Sequence, residues 1–162
     1  MSEPHSQSVR LAAMTMEHYA RVFRLWEAAE VALRPSDAAD GVARYLARNP
    51  GLSVVALFEA RIVGVAMAGH DGRCGFIQRV AVDADWRRRG IAQRMVAFCL
   101  AGLMAEAVTW VHLDVVVGNA TAERFWIGQG FAPRDTRQRL SLDLEALRQA
   151  EPAESRRAAG RR

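Results

Sequence analysis

The stretch that most constrains the fold runs from residue 75 to residue 117. An apolar run over residues 75–82 leads through Asp83-Ala84-Asp85-Trp86 into Arg87-Arg88-Arg89-Gly90. There a helical pattern begins. Ile91, Met95, Cys99 and Leu103 recur every fourth residue, which places one apolar stripe on a helix over residues 91–106. A second β-rich run follows over residues 110–117. Strand, helix and strand at this spacing have the length of a crossover unit, so the two strands should lie parallel in one sheet with the helix packed on it.

Upstream the pattern differs. Residues 9–14 read as a first strand. Thr15 offers a helix N-cap, and Tyr19, Val22, Phe23 and Trp26 follow at helical spacing. Pro35-Ser36-Asp37 breaks the chain and can start a second helix carrying Val42, Tyr45 and Leu46, which Asn49-Pro50-Gly51 stops. Residues 52–58, 62–68 and 75–82 are three apolar runs separated by short turns, the signature of an antiparallel meander. Downstream, Asn119 caps a helix reaching about Gly128, Gly130 ends it, and residues 137–143 alternate like a last strand. The chain therefore reads as an α/β protein: a mixed sheet, antiparallel meander first and parallel β-α-β unit second, with helices packed on it. Residues 1–8 read as a disordered N-terminus, 9–148 as one domain, and 149–162 as an Arg-rich flexible tail.

The turn at 87–92 carries the chemistry. Helix N-termini present free N–H groups and a positive dipole end, which favour an anion. Gly90 permits unusual backbone angles and close approach, Ala92 keeps the first turn small, and three guanidiniums add charge and paired donors. Physically this is a pyrophosphate cradle; a solvated basic turn is the plainer alternative.

Composition excludes several classes. The 162 residues are 51% hydrophobic and 25% charged, enough for a core without staples. No run approaches the roughly 18 apolar residues of a membrane helix, and the first residues lack a secretory apolar stretch. Cys74 and Cys99 cannot form a disulfide framework or a four-ligand zinc site, so no metal is expected. A cytoplasmic protein is the expectation. The net charge is +4 and the pI about 10.0. All 22 basic residues are arginine, and residues 151–162 hold half of the net charge. Without aromatic residues interleaved in a basic patch, specific nucleic-acid binding ranks last. A dinucleotide fold fails because residues 87–92 lack Gly-x-Gly-x-x-Gly.

Two blocks resemble the GNAT acetyltransferase superfamily. Arg87-x-x-Gly90-x-Ala92, after Ala81-Val82-Asp83, is similar to the family's acetyl-CoA loop, Arg/Gln-x-x-Gly-x-Gly/Ala. Asn119-x-x-Ala122-x-x-Phe125-Trp126, closing with Gly130-Phe131, is similar to its second block. The resemblance covers residues 9–143. The turn His70-Asp71-Gly72-Arg73 resembles a small stand-alone bacterial branch.

The resemblance implies an acyl-CoA acyltransferase fold with splayed central strands, often through a bulge. It implies an N-acetyltransferase that moves the acetyl group of acetyl-CoA to a primary amine by direct attack in a ternary complex. The pantetheine arm would lie along Val80, Ala81 and Val82, near Asn119 and Phe125. Arg87, Arg88, Arg89, Gly90, Ile91 and Ala92 would hold the pyrophosphate. The run Phe76-Ile77-Gln78-Arg79-Val80-Ala81-Val82 does not alternate cleanly, which suits a bulge or a strand buried on both faces.

The chemistry asks for a proton acceptor and a donor to the thioester carbonyl. Asp114, on the run 110–117, matches the place of a carboxylate base in some members; a carboxylate bound at the open sheet end is the alternative. His112 shares its face as a relay or a structural residue. Trp126 stands where many members have a tyrosine thought to protonate the leaving thiolate. An indole N–H donates but does not titrate in this range. Trp126 is thus expected to shape the acyl pocket, and the alternative reading is a weak or inactive acyl-CoA-binding, regulatory domain. Glu27, Glu30, Asp37 and Asp40, near Trp26 and Arg34, are candidates for the acceptor side, with a solvated helix face as the plainer alternative; Tyr19, Tyr45, His70 and Asp71 are further candidates. Cys99 reads as buried packing and Cys74 as ambiguous. A homodimer would fit the family.

Overall fold

The structure, a computed structural model of the chain, describes residues 8–134, 136 and 139–146. The expectations for residues 1–7 and 149–162 lie outside them. The chain divides into two compact units between Ala122 and Glu123.

The first unit holds a five-stranded sheet in sequence order, β1-β2-β3-β4-β5. Its strands are β1 Arg10–Ala13, β2 Val54–Phe58, β3 Arg61–His70, β4 Gly75–Val82 and β5 Val111–His112. The first three pairings are antiparallel and β4–β5 is parallel. The order follows from the connections. Glu59-Ala60 and residues 71–74 are short turns that fold neighbouring strands back on each other, whereas the longer run between β4 and β5 carries a helix and returns parallel.

Three helices cover this sheet: α1 Tyr19–Ala28, α2 Ala39–Arg48 and α3 Ile91–Ala105. Val22, Leu25 and Trp26 of α1 and Val42 of α2 form one core with Val55, Leu57, Val65, Met67 and Ala81 of the sheet. The predicted stripe of α3 is buried throughout: Ile91, Met95, Cys99 and Leu103 are at most 3% exposed. It packs on the other sheet face, where Gly64 admits it. A side chain there would meet the Met95 methyl at 3.0 Å and the Ile91 side chain at 3.2 Å. Fully burying one such side chain stabilises by about 1.5–3 kcal/mol.

Two strand expectations are corrected. Residues 110–117 were expected as one strand, but only Val111 and His112 pair, with Gly75 and Phe76. Residues 113–116 have strand-forming sequence but no ladder partner in β4, and propensity without a neighbour makes no strand. Of the expected strand 137–143, residues 137 and 138 lie outside the described residues and 139–143 are not in a strand.

A fourth helix, α4 Ala120–Gly128, begins where Asn119 caps it: the Asn119 Oδ1 accepts the Ala122 N–H at 3.0 Å. Within the second unit it ends as predicted at Gly130, whose φ is +91°. The Phe131 N–H donates to the Trp126 carbonyl at 3.1 Å and the Gly130 N–H to the Ile127 carbonyl at 2.9 Å. This is a Schellman cap, and its hydrophobic contact is Phe131 on Trp126, with ring centroids 5.3 Å apart. Among the described residues no helix is long and apolar enough to cross a membrane.

Candidate active site

The central feature is a break in β4. Gln78 pairs with Met67 and Ala81 with Val65, so Arg79 and Val80 together stand against the single residue Ala66. This is a β-bulge. Arg79 takes a φ of +53°, a left-handed conformation that costs a non-glycine residue about 1–2 kcal/mol. Val80 has no ladder partner in β3 or in β5. Because β5 pairs only with Gly75 and Phe76, the β5-facing edge of β4 is open from Ile77 to Val82. The expected splay and bulge are both present.

Three contacts hold the bulge from the α1–α2 side. The Trp26 Nε1–H donates to the Arg79 carbonyl at 3.1 Å. The Arg79 guanidinium makes a two-pronged ion pair with Asp37, Nε to Oδ1 at 2.8 Å and Nη2 to Oδ2 at 2.7 Å. Asp37 in turn accepts the Arg34 N–H at 2.7 Å, and the Tyr19 hydroxyl donates to its carbonyl at 3.0 Å. Asp37 is 7% exposed. Arg79 is absent from the site read from sequence, although one signal existed: it and Gln78 are polar residues inside an otherwise apolar strand. Trp26, Tyr19 and Asp37 were candidates for contacting an acceptor; the structure instead turns all three onto the bulge and its anchor.

That changes the electrostatics of the acceptor side. Asp37 is spent on Arg79. Asp40 pairs with Arg44 at 2.9 Å on an exposed helix face, and this hydrogen bond lowers its pKa. Glu27 and Glu30 are exposed. The carboxylates therefore do not converge on a cation site. A cavity of about 720 Å³ does lie here, lined by Ser36, Asp37, Tyr45, Arg48 and Met67 among others. The Tyr45 hydroxyl is buried, and burial raises its pKa to about 12.

From the bulge β4 runs directly into the arginine turn. Asp83 ends it, accepting the Asp85 N–H at 3.1 Å and pairing with Arg61 at 2.6 Å. Trp86 packs on Phe58, with ring centroids 4.6 Å apart, and anchors the turn to β2. The three arginines differ. The Arg87 Nε donates to the Val82 carbonyl at 3.2 Å. Arg89 donates to the Asp85 carbonyl at 3.0 Å and stacks 4.8 Å over Trp86. Arg88 has a φ of +61° and makes no hydrogen bond or ion pair among the described residues. Gly90 precedes α3 with a φ of +72°, and a Cβ built on it would meet nothing within 4 Å. Its role is conformational, and the space before it is open. Among the described residues no side chain caps α3, so its first N–H groups are available as donors. Ile91 anchors the turn in the core, while Ala92 is half-buried.

The remaining predicted residues fall in two places. Asp114 is exposed, two residues past the end of β5 rather than on it. His112 is half-buried between rings, 5.8 Å from Phe76 and 6.3 Å from Trp110. Ala81 is buried in the core, so only its backbone is available to a ligand; Val82 is half-buried. In the second unit, Phe125 packs edge-on to Trp126 at 5.0 Å, and Trp126 is 9% exposed. Cys99 is fully buried and burial raises its thiol pKa to about 12, an inert packing thiol. Among the described residues no group of three His, Cys, Asp or Glu could hold a metal ion.

These features agree with what the chain resembles. An acetyltransferase of Pectobacterium atrosepticum is 34% identical over 104 residues, 64% of this chain and 73% of that protein. The crystal structure of Ard1 from Thermoplasma volcanium has the same fold: TM-score 0.69 at 18% identity, over 76% of this chain and 82% of that one. So does the PaiA N-acetyltransferase of Thermoplasma acidophilum, solved in complex with coenzyme A, with TM-score 0.68 at 11% identity over 80% and 93%. Residues 14–131 match the Acetyltransferase (GNAT) family, which spans the bulge, the arginine turn and the Asn119–Phe131 block, and the chain belongs to that family.

Proposed function

We propose that this protein is an N-acetyltransferase that uses acetyl-CoA as co-substrate and acetylates a primary amine by direct attack in a ternary complex. One observation carries the reading. The bulge at Arg79–Val80, the β5-facing edge of β4 that no strand covers, and the N-terminus of α3 behind Gly90, which no described side chain caps, follow one another along the chain.

The residues fit the co-substrate along that path. The backbone of Val80, Ala81 and Val82 would take the pantetheine amides as a strand would. Arg88, with Arg87, Arg89 and the N–H groups of Gly90, Ile91 and Ala92, would hold the pyrophosphate. Asn119 and Phe125 are the further residues that the family resemblance assigns to the arm. When bound, acetyl-CoA supplies the acetyl group as an activated thioester. The Val80 N–H, in the bulge, would serve as the donor to the carbonyl oxygen, where a fixed donor acts most strongly. An amine reacts only when neutral, so Asp114 is assigned to take its proton, directly or through water. Trp126, as an indole, packs and donates but transfers no proton.

Trp126 also favours a second reading: a domain of the same fold that binds acyl-CoA and turns over slowly or not at all. Release of free CoA from acetyl-CoA across a panel of small amines, polyamines, aminoglycosides and peptide N-termini separates the two. Acetylated product, identified by mass, supports the transferase. Tight acetyl-CoA binding with no product from any amine supports the second reading and counts against the first.

A further inference from the structure

The bulge is strained, and the groups that hold it come from a distant segment. Asp37 lies in the connection between α1 and α2, 42 residues before Arg79. Their two-pronged pair is shielded, with side chains 9% and 18% exposed. The Trp26 indole fixes the Arg79 carbonyl from the same side. Buried ion pairs are weak devices for stability, since apolar residues of similar volume often serve as well or better. Their geometry is strict, however, and the Arg fork gives direction as well as charge. A strict pair placed on a left-handed residue next to the unpaired Val80 is therefore best explained by what it positions.

We propose that Asp37 and Arg79 are a positioning pair that fixes the bulge, so that the Val80 N–H keeps the aim required for the acetyl carbonyl and the α1–α2 connection keeps its distance from it. The inference rests on the acetyltransferase reading. Neither residue needs to touch the reacting atoms. Asp37 acts through Arg79, and Arg79 acts through the backbone of its neighbour. Trp26 supports the same geometry through the Arg79 carbonyl.

The test replaces the pair by the double variant Asp37→Leu/Arg79→Met, which removes both charges and leaves no uncompensated partner. Arg79→Lys keeps the charge but loses the fork. Three readouts are compared with the wild type: cooperative thermal melting, calorimetric affinity for CoA, and the Val80 amide resonance on adding CoA or acetyl-CoA. The double variant is expected to melt cooperatively and bind CoA within about threefold of the wild type. In the wild type acetyl-CoA should shift the Val80 resonance differently from CoA; in both variants that difference should disappear. With an accepted amine, kcat should fall about 100-fold at little changed KM for acetyl-CoA, as expected when a reacting group is held about 1 Å out of place. A folded double variant that keeps the acetyl-dependent Val80 shift overturns the proposal, whatever its melting temperature. A wild type that binds CoA but shows no acetyl-dependent shift at Val80 overturns it too, while leaving the co-substrate reading standing. A wild type that binds neither CoA nor acetyl-CoA overturns both.

Discussion

Replacing Gly90 by alanine isolates the part played by the arginine turn. Gly90 has a φ of +72°, and beyond its chain neighbours a Cβ on it would meet nothing within 4 Å among the described residues. The substitution therefore creates no clash inside the protein, and its cost to folding is backbone strain alone. A left-handed alanine costs about 1–2 kcal/mol, and the stiffer unfolded chain offsets part of that. The net loss should be about 1 kcal/mol, a fall in Tm of about 2–4 °C for a chain of this size. Gly51 provides a matched control, with a φ of +75° and equally open surroundings. Gly51→Ala should lose the same stability. The two should part only in binding. At position 90 the new methyl would stand at the start of α3, where a pyrophosphate must approach, and CoA affinity should drop about tenfold, or 1.4 kcal/mol. At position 51 it should not change. Scanning calorimetry gives the stabilities and titration calorimetry the affinities. If Gly90→Ala binds CoA like the wild type while melting like Gly51→Ala, the turn does not cradle the phosphates. If both variants lose binding equally, the loss is not local.

Further predictions follow from the same geometry. Arg88→Ala should weaken CoA binding most among the three arginines, by about tenfold or more for one lost charge-assisted contact, because Arg87 and Arg89 already donate to backbone carbonyls; titration of the three single variants gives the order. Asp114→Ala should lower turnover with an accepted amine and spare CoA affinity, since the residue is exposed and lies beyond the paired part of β5; unchanged turnover removes it from the scheme. Cys99 should resist alkylation in the native protein at pH 8, because burial raises its thiol pKa to about 12 and so disfavours the thiolate below that pH, and it should react once the protein is unfolded; peptide mass mapping after labelling reads both states.

Much of the secondary structure was legible because its signals are local and periodic. The fourfold recurrence of Ile91, Met95, Cys99 and Leu103 describes α3, and the short turns describe the meander. Gly130-Phe131 ends α4 for a reason visible in two letters, a left-handed glycine and a ring that folds back. The arginine turn was legible as an anion cradle because a helix start, a glycine and guanidiniums stand together. Pairing was less legible. Residues 113–116 have the composition of a strand, but a strand needs a partner, and the splay of β4 after Phe76 withholds one. That correction moves Asp114 from a strand to the chain beyond it.

The anchoring of the bulge was the least legible. Asp37 and Arg79 lie 42 residues apart, and nothing in the local pattern of either names the other. The polar pair Gln78-Arg79 within an apolar run showed that the strand was irregular, not which residue would steady it. The acidic residues near α1 and α2 suggested a cation site on composition. Once folded, Asp37 answers an internal arginine and Asp40 its helical neighbour Arg44, so the same residues carry a different meaning.

The proposed activity depends on one binding event. A thermal-shift titration of the full chain with acetyl-CoA, run beside CoA and ATP, tests it most directly. Ligand at about 100 times its dissociation constant should add about 2.7 kcal/mol of stability. That corresponds to a rise in Tm of about 5–10 °C with acetyl-CoA and with CoA, and much less with ATP, which lacks the pantetheine arm that β4 would hold. No rise at millimolar acetyl-CoA, or an equal rise with all three, would contradict it.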